Sequence, residues 1–160
     1  MVGDDAPTVT KPCRTNRPML RILTVLLLAT TPVQAWEVEV DRLCKLVHDE
    51  ADASVVVTYD PSIPEYTISI TLTRDWLDDA VFAIRFDGPR GNTISTGRHV
   101  ISGDGSTLRV ADSGFGNVLN GLEYNNTATA LLGDQAVRFS LDGAAPAVRE
   151  FRACVSGLSV

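Results

Sequence analysis

Histidine and cysteine are scarce in this chain, which has two histidines and three cysteines among 160 residues. A metal site needs several such ligands close together, but His48 and His99 lie far apart and no cluster of cysteines accompanies either. A serine-hydrolase triad would need one of them as its base, and no G-x-S-x-G motif is present. We therefore interpret both histidines as structural or surface residues of strands, and we expect neither a metal nor a cofactor.

Long apolar runs are also missing. The most apolar segment, Ile22 to Ala29, is far shorter than the roughly 20 residues that a membrane-spanning helix needs. Arg21 precedes this segment, and a small-x-small cleavage site at residues 33–35 follows it, which is the arrangement of a secretory signal peptide. We expect residues 19–35 to be removed, leaving a periplasmic or secreted protein without a membrane span. An uncleaved N-terminal anchor is the alternative.

Residues 1–18 do not fit a secretory leader. They carry Asp4 and Asp5 ahead of the apolar segment, where acidic residues are unfavourable. The simplest interpretation is that translation starts at Met19 and that residues 1–18 are an extension foreign to the natural protein. A long leader that is removed with the signal peptide is the alternative. In both cases we expect one folded domain at residues 36–160, which is long enough to bury a single core.

Positive charge is sparse in the expected mature chain. Without residues 1–35 it keeps 10 of 14 basic residues and 18 of 20 acidic residues, a net charge of −8. Nucleic-acid binding needs clustered positive charge that neutralises phosphates. The basic residues here are scattered singly among acidic ones, so we expect no nucleic-acid partner.

Two cysteines, Cys44 and Cys154, remain after the leader is removed, because Cys13 lies ahead of it. An even pair of cysteines in an exported chain predicts a disulfide, since the compartment is oxidising. The bond would close a loop for which the chain-entropy account gives roughly 4 to 5 kcal/mol. A metal site or a catalytic thiol is the alternative, but neither cysteine has clustered partners.

Alternation of apolar and polar residues is the main pattern of the mature chain. In residues 66–73 one set of side chains is apolar and the other is threonine or serine, which predicts a strand with one buried face. Similar segments recur at residues 36–40, 54–60, 81–87, 92–96, 107–112, 127–132 and 136–142, separated by turn residues. Short strands without helices between them predict an all-β fold, an antiparallel β-sandwich or a barrel-like sheet.

Two segments have helical spacing instead. Phe115, Val118, Leu119 and Leu122 predict a short helix or a packed loop, with Ser113 as N-cap and Gly121 as the stop. In the last segment, one face of a short C-terminal α-helix is predicted from Ala144, Val148, Phe151 and Val155. This helix would begin after Asp142 or Gly143 and bring Cys154 to the sheet. Arg149 and Arg152 would favour the C-terminal end of its dipole.

A binding site is predicted from polar residues in non-regular segments, because loops often carry function. Arg98, His99, Asn117 and Glu123 would form it if they converge in a concave pocket. The alternative is a buried connector at residues 115–126 whose asparagines bind backbone groups. The acidic residues of the segment RDWLDD, at 74–79, are interpreted as a solvated loop with Trp76 folded onto the core edge, rather than as a cation site.

The mature chain resembles a family of small exported proteins of marine and photosynthetic alphaproteobacteria. The resemblance covers nearly all of residues 36–155, and its most specific segments are DSGFGNVLNGLEYNNTATALLGD and FSLDGAAPAVREFRAC. Some members carry the name of an excinuclease ABC component, which these residues contradict because no G-x-x-x-x-G-K-[ST] motif is present. The resemblance implies a fold and an exported location, and it brings no catalytic residues.

The expected function is that of a non-catalytic module of the envelope that binds a small ligand or an exported protein partner. One alternative is a small periplasmic hydrolase in which Glu123 and an aspartate of residues 75–79 act as an acid/base pair. Another is an inhibitor or immunity-type partner of a second exported protein.

Overall fold

The computed structural model describes Met1, Gly3 and residues 35–158. Residues 35–158 belong to one compact unit, Pro32–Val160. The predictions for the extension at residues 1–18 and the leader at residues 19–35 fall almost entirely outside the described residues. They stay predictions.

Residues 35–158 form ten strands and two helices. In chain order these are β1 (Glu37–Val40), β2 (Cys44–Asp49), β3 (Ala53–Asp60), β4 (Glu65–Leu72), β5 (Phe82–Asp87), β6 (Asn92–Thr96), β7 (Val100–Ile101), β8 (Thr107–Asp112), α1 (Gly116–Tyr124), β9 (Thr127–Leu132), β10 (Gln135–Ser140) and α2 (Ala144–Leu158). Every segment that the alternation pattern predicted as a strand contains one.

The strands form two antiparallel sheets. The six-stranded sheet has the order β1-β2-β3-β4-β8-β7, and the four-stranded sheet has the order β10-β9-β5-β6. The chain crosses between the sheets after β4, after β6 and after β8. The prediction of an all-β, sandwich-like fold with a short C-terminal helix is therefore confirmed.

The core lies where the alternating apolar side chains of both sheets meet. In β3, β4 and β5 every second residue is buried, because successive side chains of a strand point to opposite faces. Burial of each large apolar side chain stabilises the fold by roughly 1.5–3 kcal/mol. The inward residues of these strands are Val55, Val57, Tyr59, Ile68, Ile70, Leu72, Phe82, Ile84 and Phe86.

The acidic segment after β4 is the solvated crossover that the sequence predicted. Its tryptophan, Trp76, is buried, and the indole Nε1–H donates to the carbonyl of Ile70 at 3.0 Å. The backbone N–H of Trp76 donates to the carbonyl of Gly105 at 2.9 Å, which ties the crossover to the turn before β8. The neighbouring Asp75, Asp78 and Asp79 are exposed.

Helix α1 forms, but its predicted ends were wrong. Phe115 occupies the N-cap position and no side chain caps the helix, so Ser113 is not its cap. Gly121 lies inside the helix and does not end it. A Cβ at Gly121 would lie 2.4 Å from the ring of Phe86, so glycine is needed there for the close approach of helix and sheet.

Helix α2 packs against β1 and β2 and joins the sheet covalently. Cys44, at the start of β2, and Cys154, in the helix, form the predicted disulfide, with their Cα atoms 6.0 Å apart. The side chains of Val148 and Phe151, which belong to this helix, are fully buried. Arg149 and Arg152 were predicted to interact with the C-terminal end of the helix dipole. This was wrong, because the helix continues to Leu158 and its last turn has no basic residue.

The two histidines differ from their predictions in separate ways. His48 is in β2 as expected, but it is buried and its ring stacks on the indole of Trp36 with centroids 4.5 Å apart. Its Nε2 lies 3.1 Å from Oε1 of Glu50. His99 is half-buried in the connection between β6 and β7 and is not in a strand.

Candidate functional site

Two strand edges lie next to each other at one side of the sandwich. Strand β6 is the last strand of the four-stranded sheet. In the other sheet, β7 is so short that it pairs only with Leu108 and Arg109 of β8. Within the described residues, Val110 to Asp112 of β8 therefore have β4 on one side and no strand on the other.

A cleft of about 220 Å³ opens between these two edges. Its apolar lining comes from the core faces of β4, β5, β6 and β8 and from the start of α1. These residues are Ile68, Phe82, Ile84, Ile94, Val110, Phe115 and Val118. Ile94, Val110 and Val118 are the partly buried members of this lining, and the other four belong to the buried core beneath them.

The rim of the cleft carries one cation and one anion. Arg98, in the connection after β6, donates from Nη2 to Oδ2 of Asp112 at the end of β8. The other carboxylate oxygen, Oδ1, accepts the backbone N–H of Ser113 at 2.7 Å. This hydrogen bond, and after it the charge of Arg98, holds the pKa of Asp112 below its ordinary value.

Several polar groups of the lining are not engaged. The Arg98 side chain is 71% exposed, and its Nε and Nη1 bind no other described residue. Asn117, in the first turn of α1, also lines the cleft, and its side-chain amide has no partner among residues 35–158. Both side chains are therefore free to donate hydrogen bonds to a ligand.

The other two predicted binding residues lie elsewhere. His99 does not line the cleft, and its ring centroid is 6.1 Å from that of Phe82, whose side chain does. The side chain of Glu123 is only 6% exposed and lies between Arg149 and Arg152 of α2, each with a nitrogen 3.4 Å from it. Glu123 thus joins the two helices. Two of the four residues line one pocket and two do not.

The polar residues of α1 outside the cleft mostly serve the fold. Asn120 accepts a hydrogen bond from Arg152, and the guanidinium of Arg90 lies 4.1 Å from the ring centre of Tyr124. Asn125 is buried and binds the backbone of Arg90 and Gly121. The alternative of a connector whose asparagines bind backbone groups therefore describes Asn125 correctly.

The residues proposed for an acid/base pair are not brought together. Glu123 is in α1, just before the first residue of β9. Asp79 lies beside Gly133, just after the last residue of that strand. The six residues of β9 separate the two ends by roughly 17 Å at the usual rise per residue. A pair of acids on one glycosidic or acyl bond must be far closer than that.

The cleft itself could not be predicted from the sequence. Alternation places Ile94 and Val110 on inward faces, but it cannot show whether the space opposite them is filled. Asp112 is, in the sequence, only the end of a predicted strand. The edge positions of β6 and β8 depend on how distant segments pair, which a single sequence does not reveal.

Two other depressions have larger volumes, but polar and glycine residues make up most of their lining. One lies among Asp41, Arg42, Lys45 and Asp60, and the other follows the turn after β5 at residues 85–93. Within the described residues there is no cluster of three or more histidine, cysteine, aspartate or glutamate side chains that could hold a metal ion. In the same part of the chain, neither helix is long and apolar enough to cross a membrane.

Comparisons of the chain with protein-family models, with curated proteins and with solved structures found no match. A functional proposal therefore depends on the geometry of the cleft.

Proposed function

We propose that the protein is an exported, non-catalytic binding module and that the cleft between β6 and β8 is its binding site. The observation that carries this proposal is the cleft itself, where the partly buried Ile94, Val110 and Val118 form an apolar surface beneath a rim with free hydrogen-bond donors. Apolar pockets with a few convergent polar groups are the usual form of a ligand site.

The size of the cleft limits what it can hold. Drug-sized ligands occupy pockets of roughly 300–1,000 Å³. A cavity of about 150 Å³ is enough to bind benzene. At about 220 Å³, the cleft suits a single ring or a branched aliphatic group with a short polar tail.

The proposal of export rests on three supports. The disulfide between Cys44 and Cys154 is a bond that persists in oxidising compartments such as the periplasm. The leader-like segment at residues 19–35 and the resemblance to small exported alphaproteobacterial proteins agree with that location.

An expression experiment tests export. The full chain is produced in a Gram-negative host, and the intact mass of the protein is measured in periplasmic and cytosolic fractions. We expect a periplasmic protein that begins at Trp36 and carries no free thiol. An uncut protein that stays in the cytosol with free Cys44 and Cys154 would reject export.

A neutral probe tests the binding site separately. We expect 3-phenylpropanol to shift the amide NMR signals of Ile94, Val110 and Val118 in the purified, oxidised protein. Replacing Ile94 by Trp would fill the cleft from its edge strand and abolish these shifts. The matched control is Val38→Trp, on edge strand β1, where a half-buried valine also packs against the core. Binding that survives in Ile94→Trp would reject the cleft.

A protein partner is the second candidate, and the free edges of β6 and β8 favour it. An exposed strand edge can pair with an extended segment of another protein, whose backbone supplies the missing hydrogen bonds. Cross-linking from a photoreactive residue at position 95, in the exposed edge of β6, would capture such a partner in the periplasm. A partner captured equally from position 39, in β1, would argue against this edge.

A further inference from the structure

We propose that the ligand of the cleft is an apolar carboxylate, with a single ring or a branched aliphatic group joined to the acid by a short chain. This inference rests on the proposed binding function and adds the chemistry of the ligand. It follows from which of the two charged groups at the rim still has free hydrogen-bonding capacity.

Asp112 has little capacity left. Its Oδ1 accepts the N–H of Ser113, and its Oδ2 accepts from Arg98. A cationic ligand would have to compete with both of these donors for the carboxylate.

Arg98 is in the opposite situation. Asp112 accepts one N–H of Nη2, so the second N–H of Nη2 and the N–H groups on Nε and Nη1 remain available on a side chain that is largely exposed. The second N–H of Nη2 can act together with that of Nε or of Nη1 as a parallel pair of donors. A guanidinium binds a carboxylate through two parallel hydrogen bonds, which are stronger than those between neutral groups. A carboxylate ligand can thus bind Arg98 without displacing Asp112.

The rest of the lining agrees with this assignment. Arg98 is the one basic residue among the residues that line the cleft, so it is the only full positive charge that they offer. Asn117 has a free amide group and can add a further donor. Beneath these groups the floor is apolar and holds the hydrophobic part of the ligand.

Two sources can supply this chemistry, a free organic acid or the C-terminal residue of an exported protein. The shared requirement is an apolar group close to a carboxylate. A short peptide with C-terminal phenylalanine and a free carboxylate would represent the second source, and 3-phenylpropionate would represent the first.

The test compares 3-phenylpropionate with 3-phenylpropanamide, which has the same shape and no charge, by NMR titration of the purified, oxidised protein. We expect the acid to bind about two- to fivefold more tightly, because it gains charge-assisted hydrogen bonds to an Arg98 side chain that is largely exposed. Arg98→Gln should remove this preference. The matched control is Arg109→Gln, because Arg109 is an exposed arginine of β8 that does not line the cleft.

Each outcome decides between the two proposals. Equal binding of acid and amide at the cleft would overturn the carboxylate proposal and leave the binding site intact. Absence of binding by the acid, the amide, 3-phenylpropanol and the peptide with C-terminal phenylalanine would overturn both. A preference that persists in Arg98→Gln, or that is lost in Arg109→Gln, would also overturn the role of Arg98. Tighter binding of the peptide than of its amidated form, with no binding of 3-phenylpropionate, would assign the site to a protein C-terminus.

Discussion

The two edge strands of the four-stranded sheet, β10 and β6, have different surroundings. At one end of β10, the N–H of Ser140 donates to Oε1 of Glu50 at 2.7 Å, and its carbonyl accepts Nε1–H of Trp36 at 3.1 Å. At the other end, the side chain of Gln135 binds the backbone of Asp75 and Leu77. Within residues 35–158, β6 has hydrogen bonds only to β5 and to Arg98, which directly continues the same chain.

This difference shows how the fold treats its free edges. An exposed edge presents unpaired N–H and C=O groups that invite pairing with another chain, and proteins usually cover it. Here the side chains of Trp36 and Glu50 bind one end of β10, and the side chain of Gln135 ties the other end to the crossover backbone. The edge of β6 stays open beside a cleft, so the unprotected edge coincides with the site that we propose for binding.

The largest expected effect is at the covered edge. Trp36→Ala should lower the free energy of unfolding by about 3–5 kcal/mol, because the indole is buried and stacks on His48. Ile94→Ala, at the open edge, should cost only about 1 kcal/mol, since that side chain is half-buried. Urea unfolding of both variants measures the difference. Equal losses in the free energy of unfolding would show that the covered and the open edge contribute equally to stability.

A smaller effect is expected from Glu50. Glu50→Ala leaves the N–H of Ser140 without its acceptor, and we expect a loss of about 0.5–1.5 kcal/mol in urea unfolding, because this hydrogen bond is exposed. Glu50→Gln keeps an acceptor oxygen and should restore most of that stability. Asp112→Ala, the corresponding change at the open edge, should cost less than Glu50→Ala because Asp112 and Arg98 form an exposed pair. A larger loss from Asp112→Ala would contradict the comparison.

The smallest effect concerns the titration of Asp112. Arg98→Gln should raise the pKa of Asp112, but leave it below the ordinary value, because the N–H of Ser113 is the larger cause and remains. A lowered pKa means that the ionised form stabilises the fold above the ordinary pKa of aspartate, and that this contribution disappears as the pH falls through the lowered value. Carbon-detected NMR titration of the Asp112 carboxyl group measures the shift. An unchanged pKa would show that Arg98 is not held at the rim.

The strands could be predicted because the alternation of apolar and polar residues is a local pattern. The disulfide could be predicted from the number of cysteines. Phe82, Ile84 and Phe86 alternate regardless of what they contact, and the two cysteines of the predicted mature chain leave one pairing. The burial of His48 could not be predicted, because it depends on Trp36, which stacks on it. The pairing of Glu123 with Arg149 and Arg152 could not be predicted either. The sequence around Glu123 does not show whether its carboxylate faces solvent or a distant helix.

The covalent link between Cys44 and Cys154 has a consequence for how the molecule is made. Nine of the ten strands and helix α1 lie within the loop that it closes, and only β1 precedes it. The partner sulfur of Cys44 therefore leaves the ribosome after both sheets are already complete in sequence. Any chain interrupted before Cys154 lacks the native partner of Cys44, so this disulfide can form only in molecules whose synthesis has passed the last strand.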